Sequence, residues 1–129
     1  MSSFSIKMET SGHFKRLNQY LLKLREKKVA SILEKYGPIG VEALSDATPE
    51  RSGATASSWS YTITATKGSS KISWSNSNVN KGVPIAILIQ YGHGTGTGGY
   101  VPPVDYINPA MHPIFSDIEE RIREEVSKL

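Results

Sequence analysis

Trp59-Ser60-Tyr61-Thr62-Ile63-Thr64-Ala65-Thr66 and, beyond the turn residues Gly68-Ser69-Ser70, Lys71-Ile72-Ser73-Trp74-Ser75 are the two runs that decide the fold class. In the first, Trp59, Tyr61, Ile63 and Ala65 alternate with serine and threonine; in the second, Ile72 and Trp74 alternate with Lys71, Ser73 and Ser75. A period of two is the repeat of a half-buried strand, and aromatic and β-branched side chains favour that pleated surface. The two runs predict an antiparallel hairpin with a polar outer face. Its apolar face needs a second layer to cover it.

The flanking sequence supplies that layer. Upstream, Phe4, Ile6 and Met8 alternate with Ser5, Lys7 and Glu9, which predicts a short strand broken at Thr10-Ser11-Gly12. From His13 a helix is expected, with Ser11 as its N-cap and an apolar stripe of Phe14, Leu17, Leu21 and Leu24 that drifts to Val29, Ile32, Leu33 and Tyr36. Lys15, Arg16, Lys23, Lys27 and Lys28 fill much of the wet face. Gly37-Pro38 is expected to stop or bend this helix at Tyr36, because proline disfavours a helical residue before it. Ile39, Val41, Ala43 and Leu44 suggest a further helical stretch towards Asp46, Ala47 to Gly53 reads as a turn, and Ala54 to Ser58 as one helical turn.

Downstream, Asn76 to Gly82 reads as a polar loop, and Ile85-Ala86-Ile87-Leu88-Ile89 as a buried strand or a strand preceded by a turn of helix. A final helix, capped by Asp105 or Asn108 and tolerating Pro109 in its first turn, carries Ile107, Met111, Ile114, Ile118, Ile122, Val126 and Leu129 three or four apart. Pro113 removes one of its hydrogen bonds and is a possible kink. The expected architecture is α+β, one domain over residues 1–129. A small antiparallel sheet, made from the Phe4 strand, the hairpin and the Ile85 run, packs against a long N-terminal helix and a C-terminal helix.

Composition narrows the chemistry. The 129 residues include no cysteine, which removes disulfides, thiolate zinc sites and cysteine nucleophiles together and suits a reducing compartment. No run approaches the roughly 20 apolar residues of a membrane span, so a soluble protein made in the cytosol is expected. The formal net charge is +3, with eight Lys/Arg against three acids in residues 1–36 and three against six in residues 105–129. Two readings of this asymmetry stand open: head-to-tail attraction between copies, or two solvated helix faces that differ in sign. Nucleic-acid recognition would call for a denser basic stripe interleaved with aromatics.

Between the Ile85 run and the last helix lies Gln90-Tyr91-Gly92-His93-Gly94-Thr95-Gly96-Thr97-Gly98-Gly99-Tyr100-Val101-Pro102-Pro103, in which five of the ten residues from Gln90 to Gly99 are glycine. Glycine has the largest backbone ordering cost, so such a loop is expected to be mobile or held by something outside it. It is no phosphate cradle by pattern: Pro102 and Pro103 precede any helix, and no Gly-Lys-Ser/Thr ending follows. His13, His93 and His112 lie on different elements without metal-binding spacing. His93 is the one candidate for a small hydrolase, yet no nucleophile-elbow motif accompanies it. Glu119, Glu120, Glu124 and Glu125 read as a solvated face, with Glu119–Arg123 and Glu124–Lys128 pairs at i, i+4. No enzymatic activity, cofactor, metal or small-molecule substrate is expected from these residues.

Three segments taken in order point to a family. Thr48-Pro49-Glu50-Arg51-Ser52-Gly53-Ala54-Thr55-Ala56-Ser57-Ser58-Trp59 resembles the Pro-x-x-(Thr/Ser)-Gly signature, with its following Ser, of small neck and tail-completion proteins of long-tailed bacteriophages. Gln90-Tyr91-Gly92-His93-Gly94-Thr95 is similar to that family's aromatic-Gly-Thr element, and Tyr106-Ile107-Asn108-Pro109-Ala110-Met111 to the aromatic-apolar-x-Pro-Ala opening of its final helix. Two departures are visible: Gln90 stands where an acid is common, and His93-Gly94 is inserted before Thr95.

The resemblance implies a structural virion protein, made in the host cytoplasm and built into the neck or tail as a minor tail, tail-completion or head-to-tail joining component. Its copies would form a ring, hexameric in the virion, against connector and tail proteins, with passing DNA held only weakly and no membrane involved. Tail terminator or head-completion protein is the related alternative; a small basic nucleic-acid-binding regulator using the helix from Lys15 to Lys35 is the alternative of another class. The expected contact residues are Pro49, Arg51 and Gly53 in the first segment. In the glycine stretch they are Gly92, His93, Gly94, Thr95, Gly96, Thr97 and Gly98, with Tyr91 and Tyr100 as aromatic anchors.

Overall fold

Alternation in the two central runs produces the hairpin it predicts. Strands β2 (Trp59–Thr66) and β3 (Ser69–Asn76) pair antiparallel, with Tyr61 opposite Trp74 and Ile63 opposite Ile72. The computed structural model describes residues 4–11, 19–49, 53–66, 69–94 and 96–128. Strand β1 (Phe4–Ser11) adds to the far side of β3, Ile6 opposite Trp74, so the sheet runs β1-β3-β2 with β3 central. The strand continues through Thr10 and Ser11, because Ser11 still pairs with Ser69. Along β3, Ser70, Ile72, Trp74 and Asn76 are buried, and the intervening residues are half-buried. Ser60, Thr62 and Thr64 of β2 lie exposed on the other face.

Helix α1 spans Gln19–Ala47 without interruption and contains Pro38, so of the stop or bend expected at Tyr36 the stop does not occur. The reason is packing. Gly37 and Gly40 let the sheet aromatics come against the helix backbone: a Cβ on Gly37 would lie 2.3 Å from the Tyr61 ring, and one on Gly40 would lie 2.4 Å from the Trp74 indole. Trp74 Nε1 also donates to the Gly37 carbonyl at 2.9 Å. Two aromatic rings seated on successive turns outweigh the hydrogen bond that proline removes. Of the expected stripe, Ile32 and Leu33 are buried, and Val29 and Tyr36 pack on the core; Phe14 and Leu17 lie outside the described residues.

The second half departs further from expectation. Asn76 to Gly82 is not simply a loop, since β4 (Val79–Asn80) pairs with β5 (Val83–Pro84) across Lys81 and Gly82, which have φ of 53° and 79°. Two left-handed residues are what a two-residue hairpin turn requires. The Ile85 run is a helix, α3 (Ile85–Tyr91), and contributes no strand to the sheet. Its most buried positions, Ala86 and Gln90, are four apart and so on one face. Helix α4 (Ile107–Ser127) packs along α1 and carries Pro113 within it. Ile107, Met111, Ile114 and Ile118 are buried as the spacing predicts, and Phe115 tilts against Trp74 at 6.0 Å between ring centroids. With Leu33, Leu44, Trp59 and Ile72, these side chains form one core beneath the sheet. The architecture is therefore α+β, a small antiparallel sheet with a long N-terminal-region helix and a C-terminal helix.

The charge asymmetry of the sequence is partly resolved within one chain. Lys28 of α1 meets Glu125 of α4 at 3.9 Å, so the basic and acidic helices lie against each other. On α4 the Glu119–Arg123 pair forms at 3.3 Å. Lys128, expected to pair with Glu124, instead reaches Glu125 at 3.7 Å.

Candidate functional site

Part of the glycine stretch forms regular secondary structure. A short helix, α2 (Gly53–Ala56), precedes the sheet hairpin, and a third, small hairpin forms within the glycine stretch itself. Its strands are β6 (His93–Gly94) and β7 (Tyr100–Val101), with His93 opposite Val101 and Gly94 opposite Tyr100. Gly92 starts it and cannot be another residue without strain. Its φ is 78°, and a Cβ there would meet Tyr100 Oη at 2.6 Å and the Val101 carbonyl at 2.7 Å. At the tip, Gly96 and Gly98 have positive φ with open space around them.

What holds this hairpin is α3 together with the start of α4. The Gly92 amide donates to Leu88 O at 2.8 Å, and the Val104 amide to Ile89 O at 2.9 Å. Both ends of the stretch are thus tied to one short helix. Gln90, only 6% exposed, does the same for α4. Its Oε1 accepts from the backbone amides of Tyr106 at 3.2 Å and Ile107 at 3.0 Å, and its Nε2 donates to Asp105 Oδ1 at 2.7 Å. Those amides are among the donors a helix N-terminus leaves without an internal partner. The cap expected from Asp105 or Asn108 is therefore supplied by Gln90 from another helix. Asp105 instead accepts from Gln90 and, at 3.0 Å, from Asn108 Nδ2. A carboxylate at that position could accept the same two amide bonds, but only the amide of Gln90 can also donate to Asp105.

Tyr106 completes the mount. Its ring is buried, its hydroxyl donates to Ala86 O at 3.0 Å, and burial pushes its pKa up to about 12. Above this base Tyr91 and Tyr100 are 65% and 63% exposed, with Val101 and Val104 exposed beside them. Neither tyrosine is a core residue, and the stretch from Tyr91 to Val104 presents two aromatic rings and two valines outward.

The first predicted segment divides. Pro49 is half-buried and Gly53 exposed, whereas Arg51, like Thr95 of the glycine stretch, lies outside the described residues. The residues around them are structural. Thr48 Oγ1 donates to Leu44 O at 2.6 Å and accepts from Trp59 Nε1 at 3.0 Å. The buried Thr55 receives Asn76 Nδ2 on its carbonyl at 2.7 Å and Asn78 Nδ2 on its hydroxyl at 2.6 Å. This polar joint fastens the end of α1 and α2 to the end of the sheet. Of the predicted contacts, then, the structure brings together Tyr91, Gly92, His93, Gly94 and Tyr100, with Gly96, Thr97 and Gly98 exposed between the two strands.

His93 Nδ1 is buried without a hydrogen-bond partner among the described residues, although a hydrolytic triad would have that nitrogen donate to an acid. Among the described residues no group of three or more His, Asp or Glu is placed to hold a metal, and no helix is long and apolar enough to cross a membrane. Sequence reasoning missed Gln90 and Tyr106 as the mount. The available signal was a polar residue closing an apolar run four positions after Ala86. Comparisons with protein-family models, curated proteins and solved structures give no match.

Proposed function

We propose that this protein is a structural subunit of a tailed bacteriophage or prophage particle, a tail-completion or head-to-tail joining protein whose copies form a hexameric ring in the neck or at the top of the tail tube. The observation that carries the reading is the pair of exposed tyrosines, Tyr91 at the end of α3 and Tyr100 on the hairpin, whose flanking residues Gly92 and Val104 are hydrogen-bonded to α3. Large aromatics held outward on a rigid base are the usual anchors of a protein interface, because little side-chain entropy remains to be lost on docking. The ordered sequence motifs in Thr48–Trp59, Gln90–Thr95 and Tyr106–Met111 support the same reading. In a ring each copy would present this hairpin to a different surface of its neighbour, the heterologous contact that closes by rotation.

The test is electron microscopy of lysates from a phage or prophage that carries this gene with a nonsense codon at Lys7, with and without the protein supplied in trans. DNA-filled heads beside finished but unattached tails, rescued by complementation, are expected. Normal infectious particles from the mutant would refute the assignment.

A further inference from the structure

A second site lies away from the hairpin, in a cleft of about 180 Å³ between α1 and α4. Lys28, Ser31 and Lys35 line it from one face of α1, and Arg121 and Glu125 line it from α4, over a floor of Ile32 and Tyr36. Three cations against one carboxylate leave a surplus of two positive charges at one concavity. Glu125 is shared among Lys28, Arg121 and, at 3.7 Å, Lys128, so it offsets no more than one of these charges. Lys28 approaches it to 3.9 Å and Arg121, through Nε, to 3.8 Å, both beyond the 2.7–2.9 Å or so of a closed charge-assisted hydrogen bond. Lys35 has no ion pair among the described residues. Ser31 and Tyr36, which also line the cleft, each carry a hydroxyl able to donate.

The geometry points to a binding site for a phosphate group in this cleft. A tetrahedral oxyanion with up to two negative charges matches the surplus, and the volume admits it with part of its hydration shell at about 30 Å³ per water. The arginine fork and two mobile ammonium groups supply the donors such a group takes up. The source is either a free phosphate or the phosphodiester backbone of nucleic acid. No residue of the hairpin takes part, so the site stands or falls independently of the joint-protein reading.

The test is a titration of isotope-labelled protein, followed by amide chemical shifts, with inorganic phosphate at constant ionic strength and separately with a 12-base-pair DNA duplex. Saturable shifts centred on Ser31, Tyr36 and Arg121 are expected. Lys35→Gln and Arg121→Gln should each weaken binding about tenfold, while Lys23→Gln, on the same helix outside the cleft, leaves it unchanged. Glu125→Gln removes the competing carboxylate and should tighten binding, a sign that general loss of structure would not produce. Saturation by phosphate alone identifies a free anion; competition by the duplex, with the same dependence on Lys35 and Arg121, identifies the backbone. Absence of saturation with both probes would overturn the proposal. So would equal weakening by Lys23→Gln and Lys35→Gln.

Discussion

Gln90 is the residue on which two elements depend. Replacing it with alanine removes one bond to Asp105 and leaves the Tyr106 and Ile107 amides without acceptors. A loss of about 2–3 kcal/mol in urea unfolding is expected, since unsatisfied buried donors cost more than the net value of the bonds themselves. Gln90→Glu keeps the capping oxygen but sets a second carboxylate against Asp105, so its stability should recover on acidification. Tyr106 gives a signature at the other end of the pH range. Its folded pKa of about 12 exceeds the ordinary value of 10.0, so between those values the unfolded chain has lost the phenolic proton and the folded one keeps it. Stability from this group is complete below pH 10.0 and falls as pH rises towards about 12. Thermal melts should show that fall in the native protein and a smaller one in Tyr106→Phe. Trp59, Ile72 and Trp74 were readable as core from alternation alone. Gln90 was not, because the acceptors and donors it satisfies belong to residues 15 to 17 positions away.

Helix α1 shows where periodicity gives way to packing. Its apolar stripe was legible, but Gly37-Pro38 reads as an end only to an observer unaware of Tyr61 and Trp74 on the facing sheet. Gly40→Ala makes the point measurable. In an isolated helix alanine is favoured by about 1 kcal/mol, yet here its methyl would press on the fully buried Trp74 indole. A net destabilisation of about 1–3 kcal/mol is expected in chemical denaturation. The Ile85 run failed differently. Five consecutive apolar residues carry no period, and β-branched content favoured a strand, whereas contacts with Tyr106 and the amides of α4 select a helix. For the glycine hairpin, the described residues that a deletion of Gly94 to Gly98 removes, Gly94, Gly96, Thr97 and Gly98, are all exposed. The melting temperature should stay within about 3 °C of the parent, and complementation of the nonsense mutant should fail. A large fall in melting temperature would make the hairpin part of the core.

For the chain as a unit, layer order and the hydrophobic faces were legible because they depend on local repeats. Sheet order and the internal pairing of basic with acidic helices were not, because they depend on which distant segments meet. The sheet order has one more consequence. With β3 in the centre, β1 and β2 are both edges, and they are unlike. β1 includes Lys7 and Glu9, whereas the eight residues of β2 include neither charge nor proline. Such a strand is a template for further strands unless something occupies it. Purified protein kept concentrated should slowly acquire fibrils that bind thioflavin, and Thr64→Lys should suppress them without lowering stability. For a chain held alone at high concentration, time then becomes a hazard: the same rim that completes the sheet's outline sets a limit on how long it can safely remain so.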